Sequence, residues 1–152
     1  NKGKIKEIRD LIPKKVEILG AGDFNLNSPK ENGKTFAENS FIKAKYYSKK
    51  TRMICIADDS GIEIDALDKQ PGIYSARWAG PNRDFDFAMR EVTRLLDEKK
   101  IPIAERTARF VCALCLFYPN GEYHFFVGKI EGRVVWPPRG KYGFGYDAIR
   151  AT

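Results

Sequence analysis

The stretch Ile54-Cys55-Ile56-Ala57-Asp58-Asp59-Ser60-Gly61-Ile62-Glu63-Ile64-Asp65 decides the reading of this chain. An apolar run stops at two adjacent carboxylates, a serine and a glycine follow, and then apolar and acidic residues alternate. That order predicts a strand, a tight turn and a second strand, with Gly61 supplying the turn's backbone freedom. Asp58 and Asp59 are then expected side by side at the mouth of a buried strand. Two like charges so close need compensation, and a divalent cation that prefers carboxylate oxygens is one answer. An Asx-type turn closing a hairpin is the other.

Around this stretch the chain is a 152-residue sequence with 43% hydrophobic and 31% charged residues. That is ordinary for one soluble domain with a real core. The net charge of +7 suggests a polyanionic partner such as a nucleotide or nucleic acid. A basic nucleic-acid-binding domain is disfavoured, because the lysines and aromatics are scattered among acidic positions that would repel a phosphate backbone. Cys55, Cys112 and Cys115 lie in apolar runs and imply no disulfide framework. Cys112 and Cys115 should face opposite sides of a strand, so they read as core residues. No secretory signal or membrane-length apolar run is visible.

Before the central stretch, Ile5, Ile8, Leu11 and Ile12 share a helical face that Pro13 ends. Asn1-Lys2-Gly3-Lys4 leads into that helix; taken alone it reads first as a solvated basic helix start, and second as a place where free N–H groups and lysines suit a phosphate. Val16–Leu19 reads as a short strand and residues 20–32 as a loop. Thr35-Phe36-Ala37-Glu38 opens a helix with a capping-box pattern and runs to about Lys50. Lys43 and Asn39 read as polar neighbours on it, Glu38 as a cap, and Glu31 as a loop acid able to reach a metal at Asp59.

After it, Tyr74, Arg77 and Trp78 could form an aromatic and cationic wall for a base or phosphate, and equally a packed loop or a subunit contact. Residues 84–99 read as a helix capped by Asp84, with Phe85, Ala88, Val92, Leu95 and Leu96 inward. Thr107–Tyr118 is apolar on both faces and so reads as a central strand. Pro119-Asn120-Gly121 turns the chain back into Tyr123–Val127, and Ile130–Trp136 reads as a further strand. A nucleophilic Ser60–His124–Asp triad is conceivable, but Ser60 lacks a nucleophile-elbow context. Gly143-Phe144-Gly145-Tyr146-Asp147, beside Arg139 and Lys141, reads as a ligand-contacting loop, with a glycine-rich structural loop as the alternative.

Taken in order, Asn1-x-x-Lys4 with Glu7, Glu31-x-Gly33-x-Thr35-Phe36-x-Glu38-Asn39 and Lys43-Ala44 begin a recognisable series. Ala57-Asp58-Asp59-Ser60-Gly61, Pro71-Gly72-Ile73-Tyr74-Ser75-Ala76-Arg77 and Gly143-Phe144-Gly145-Tyr146-Asp147 complete it. The series resembles the inosine triphosphate pyrophosphatase (Ham1-like) family. The resemblance implies an α/β fold, with a long, curved, mixed sheet flanked by helices in two lobes around a central nucleotide cleft. It implies Mg²⁺-dependent hydrolysis of ITP, dITP and XTP to the monophosphate and pyrophosphate, by a cytoplasmic homodimer.

Residue by residue, the resemblance assigns Asn1, Lys4 and Lys43 to the phosphates, Ser60 to substrate contact, and Glu31 with Asp59 to Mg²⁺. It makes Asp59 or Asp58 the group that orients or deprotonates the attacking water, with precedent favouring Asp59. Phe144 would stack on the purine, Gly145, Tyr146 and Asp147 would shape the base pocket, and Glu38 is an alternative metal candidate. Residues 1–152 read as a single domain expected to lack the family's first strand and its C-terminal segment. That segment carries the Ser-His-Arg motif that reads the purine 6-oxo group. A non-catalytic nucleotide-binding remnant is therefore the alternative reading.

Overall fold

The computed structural model describes residues 2–140 and 145–151. Four strands form one sheet in the order β1 (Cys55–Ile64), β2 (Thr107–Phe117), β3 (Tyr123–Val134) and β4 (Arg150–Ala151). Every pairing among these strands is antiparallel, whereas the resemblance implies a mixed sheet. The α/β character itself stands. β2 is central, as its two apolar faces predict, and the β2–β3 turn is closed by Tyr118 N–H to Glu122 O at 2.8 Å.

Helix α1 spans Lys2–Leu11, and α2 spans Phe36–Thr51. Thr35 caps α2, its hydroxyl accepting the Glu38 N–H at 3.1 Å. The Glu38 carboxylate accepts from Lys34 N–H rather than from the cap residue itself. Arg52 ends the helix in the left-handed region, returning its N–H to Ser48 O. α3 (Ser75–Trp78) is a single turn, and α4 spans Phe85–Glu98 from its cap at Asp84.

The sheet has two faces with different covers. Phe36, Phe41 and Ala44 of α2 pack on Val111, Ala113, Cys115 and Phe117, the odd-numbered residues of β2. The larger core lies against α4, where Ala88, Met89, Val92 and Leu96 meet Ile62, Ile64, Ala108, Val134 and Ile149. Leu96 is fully buried there, and cutting it to alanine would cost about 2–5 kcal/mol. Arg106 closes the end of α4, donating to Ile101 O at 2.9 Å and to Asp97 at 2.5 Å.

Three expectations are corrected. Residues 54–65 hold no turn: β1 runs unbroken through Ser60-Gly61. Gly61 is needed for close approach instead, since a Cβ there would sit 2.4 Å from both Gly72 O and Ser75 Oγ. Val16–Leu19 is not a strand, because no neighbouring strand takes up its backbone. Tyr123–Val127 and Ile130–Val134 belong to the single strand β3, with Gly128 continuing the ladder opposite Cys112.

Candidate functional site

Strand alternation divides the central carboxylates. Asp59 points with Gly61 toward α2, while Asp58 and Ser60 point the other way, toward α1. Each acid therefore has its own cation, in place of one shared between them. Lys4 of α1 bonds the Asp58 carboxylate and donates to Ser60 Oγ at 2.8 Å, and Ser60 donates to Asp58 at 3.2 Å. On the α2 side, Lys43 Nζ lies 3.6 Å from Asp59 Oδ1 and 3.2 Å from Glu31 Oε2.

Asn39 completes the α2-side cluster, and the sequence reading missed it. Its side-chain amide donates to Asp59 Oδ2 at 3.1 Å and its Oδ1 accepts the Gly33 N–H at 2.9 Å. It is 1% exposed. A buried asparagine one helical turn from Lys43 was the available signal, because i and i+4 share a helix face. The loop carrying Glu31 is thus held at two points. Arg77 donates to Glu31 O at 3.0 Å, and Gly33 sits so tightly on Asn39 that a Cβ would fall 2.6 Å from its Oδ1.

Burial raises the Asp59 carboxyl above its ordinary value; the Lys43 ammonium and then the Asn39 amide oppose that rise. A partly buried carboxyl with raised proton affinity, beside a cation and an orienting amide, can serve as a base. Glu31 and Asp59 also converge on one cationic point, now filled by an ammonium. Two carboxylates in that arrangement suit Mg²⁺, which typically takes one or two protein carboxylates and fills its remaining positions with water and phosphate.

Of the aromatic loop, Tyr146 turns into the core. Tyr146 is buried against Phe85, with ring centroids 5.7 Å apart, and its hydroxyl donates to Ser75 O at 2.9 Å. Burial raises its phenol above the ordinary range. Ser75 Oγ in turn donates to Gly72 O at 2.6 Å and accepts the Ile62 N–H at 3.0 Å. Tyr146 therefore ties this loop to β1 through Ser75. Asp147 opens a short 3₁₀ turn after Gly145. Asn1 and Phe144 lie outside the described residues.

Glu38 is engaged at the helix start and does not join Glu31 and Asp59 in any of its hydrogen bonds. Arg77 stacks over Tyr74 at 4.9 Å. His124 is exposed on β3, opposite Leu116 and bonded to Glu122, whereas Ser60 pairs with Cys112. Register thus keeps the two apart, and the Ser60–His124 triad does not form.

The chain as a whole is similar to known proteins. The Ham1 family profile matches residues 1–150. A dITP/XTP pyrophosphatase of Zymomonas mobilis is 48% identical over 150 residues, spanning 98% of this chain and 71% of that protein. One from Agrobacterium fabrum is 49% identical over 154 residues, spanning 98% and 72%. Among solved structures, a HAM1 protein from Coxiella burnetii superposes with a TM-score of 0.88 at 35% identity, covering 99% of this chain and 77% of that one. The Staphylococcus aureus Ham1 protein gives 0.86 at 34% identity, covering 99% and 76%. With the profile spanning nearly every residue and the fold shared at this level, the chain belongs to the Ham1 family.

Proposed function

We propose that this chain hydrolyses non-canonical purine nucleoside triphosphates, dITP, XTP and ITP, to the monophosphate and pyrophosphate with Mg²⁺. The observation that carries the reading is the convergence of Glu31 and Asp59 on the one cationic point of Lys43. The naming of its near relatives as dITP/XTP pyrophosphatases supplies the substrate class.

In this reading Asn1, Lys4 and Lys43 bind the phosphates, and Ser60 contacts the substrate. Mg²⁺ held by Glu31 and Asp59 would neutralise charge on the phosphate oxygens as the anhydride breaks. Asp59 takes the proton of the attacking water. Asn39 fixes which Asp59 oxygen faces the water. Asp58 orients Lys4 and Ser60 from the opposite face of β1. Phe144 stacks on the purine in a cleft between two lobes, with Gly145 and Asp147 around the base. Tyr146 supports that loop from inside the core.

Residues 1–152 form one catalytic domain in this account. The homodimer is supported by β3, where Tyr123, Phe125, Phe126, Val127 and Ile130 expose apolar area. The three cysteines are free, and a cytoplasmic setting would keep them so. Among the described residues no helix is long and apolar enough to cross a membrane.

The test is pyrophosphate release from dITP, XTP, ITP and ATP with Mg²⁺, with Asp59→Asn alongside. Release from the first three, little from ATP and loss in the variant is the expected result. A folded chain that binds ITP without releasing pyrophosphate would favour the non-catalytic remnant.

A further inference from the structure

Lys43 sits between the two carboxylates read above as metal ligands, at 3.2 Å from Glu31 Oε2 and 3.6 Å from Asp59 Oδ1. The inference that follows rests on that reading. We propose that Lys43 is the resident counter-cation of the metal site. It holds Glu31 and Asp59 together before the metal arrives, gives them up when the metal binds, and passes to the triphosphate.

The geometry makes the ammonium and the metal competitors. Magnesium binds oxygen at about 2.0–2.1 Å. Bound to Glu31 Oε2, it would lie no more than about 5.3 Å from the present Nζ position, given the 3.2 Å contact. Two cations that close repel strongly in a partly buried site, and they contend for the same lone pairs. Lys43 is able to yield, because its four-carbon stem is flexible and its head reaches the edge of the site, with the side chain 20% exposed. Asp59 would keep its orientation through the exchange, since the Asn39 amide holds its other oxygen.

The consequence is a coupling between two ligands. Metal alone must evict Lys43 with nowhere favourable to send it. Metal arriving with a nucleotide brings phosphate oxygens that receive the displaced ammonium. Each ligand therefore strengthens the other's binding, and Lys43 carries the coupling.

The test uses Mn²⁺ as the probe, titrated calorimetrically into nucleotide-free protein. Wild type, Lys43→Met, Lys43→Arg and Asp59→Asn are compared, with circular dichroism to establish folding. Lys43→Met should bind Mn²⁺ at least about tenfold more tightly than wild type. Lys43→Arg should stay near wild type, and Asp59→Asn should lose the site. Lys43→Gln is the second variant should methionine prevent folding.

Equal or weaker Mn²⁺ binding in a folded Lys43→Met or Lys43→Gln protein would overturn the proposal. Mn²⁺ binding that survives Asp59→Asn would do the same, by placing the metal elsewhere. Turnover of dITP by wild type is measured separately. Activity with unchanged Mn²⁺ affinity in the Lys43 variants would sink the exchange and leave the pyrophosphatase reading standing.

Discussion

Asn39 donates its side-chain amide to Asp59 Oδ2 at 3.1 Å. The same side chain accepts the Gly33 N–H at 2.9 Å, so one buried amide joins helix α2, strand β1 and the loop that carries Glu31. Replacing Asn39 with alanine leaves the Gly33 N–H without its partner and frees one Asp59 oxygen. The expected cost is about 1–3 kcal/mol of stability, read from urea unfolding. Activity toward dITP should fall by about 10–100-fold, as happens when a partner that orients a metal ligand is removed. Wild-type turnover in Asn39→Ala would remove Asn39 from the site.

Gly61→Ala should be among the most damaging single-methyl changes in the chain. The added Cβ would meet backbone Gly72 O and Ser75 Oγ, both at 2.4 Å, inside a continuous strand. Relief requires the 72–75 segment to move off β1. A loss of about 1–3 kcal/mol or more is expected, seen as a lower thermal midpoint. Unchanged melting would mean that the 72–75 segment gives way freely.

Tyr146→Phe removes only the hydroxyl bonded to Ser75 O. The ring can keep its packing on Phe85, so the expected loss is about 0.5–1.5 kcal/mol, the ordinary worth of one hydrogen bond. If the tyrosine serves the base pocket only through this anchor, the KM for dITP should rise while the fold persists. A variant indistinguishable from wild type in both melting and KM would contradict the anchoring role.

Asp65 makes the fold sensitive to acid. Its hydrogen bond from Thr107 and then its contacts with Arg109 hold its carboxyl below the ordinary value of 3.8. The folded state therefore favours the ionised form. That contribution is complete above the ordinary carboxylate range and fades as pH falls through the lowered folded value. Asp65→Asn should flatten the loss of stability below about pH 4. The effect should be modest, because the pair is solvent-screened. Parallel acid-unfolding curves for the two proteins would refute it.

The Cys55 thiol is pushed up to about 11, first by burial and then by neighbouring Cys115. The reactive thiolate is scarce at moderate pH, so iodoacetamide should label Cys55 roughly 100-fold more slowly at pH 8.5 than an ordinary exposed thiol. Peptide mass spectrometry follows the site directly. Rapid labelling would show that β1 opens at this end.

Much of the scaffold can be read along the chain, because the relevant forces act between near neighbours. Thr35 and Asp84 mark helix starts through their caps, and the 3.6-residue apolar spacing after Asp84 predicts the face of α4 that is buried. Pro119-Asn120-Gly121 marks the hairpin. The apolar run from Phe110 to Phe117 predicts a strand covered on both sides. The split of Cys112 from Cys115 follows from strand alternation alone.

Other features were hidden because their causes lie far along the chain. Gly61 suggested a turn because a glycine's usual local meaning is conformational freedom. Its actual reason is the approach of Gly72 O and Ser75 Oγ. Val16–Leu19 has strand-like residues but no partner, and a strand without a ladder cannot satisfy its backbone. Asn39 looked like one more polar residue on α2, since nothing local shows that it is covered.

The chemistry-bearing residues and their order were settled in the amino-acid sequence: the acids Glu31, Asp58 and Asp59, the cations Lys4 and Lys43, and the caps that start the helices. Those follow from residue type and short-range periodicity, which need no partner. Which acid meets which cation was decided by packing. Adjacent Asp58 and Asp59 part to opposite faces of β1 because the strand continues, and α1 and α2 then bring Lys4 to one and Lys43 to the other. Hydrogen bonds and ion pairs reach only a few ångströms, so long-range contacts between distant segments had to close before the site could exist.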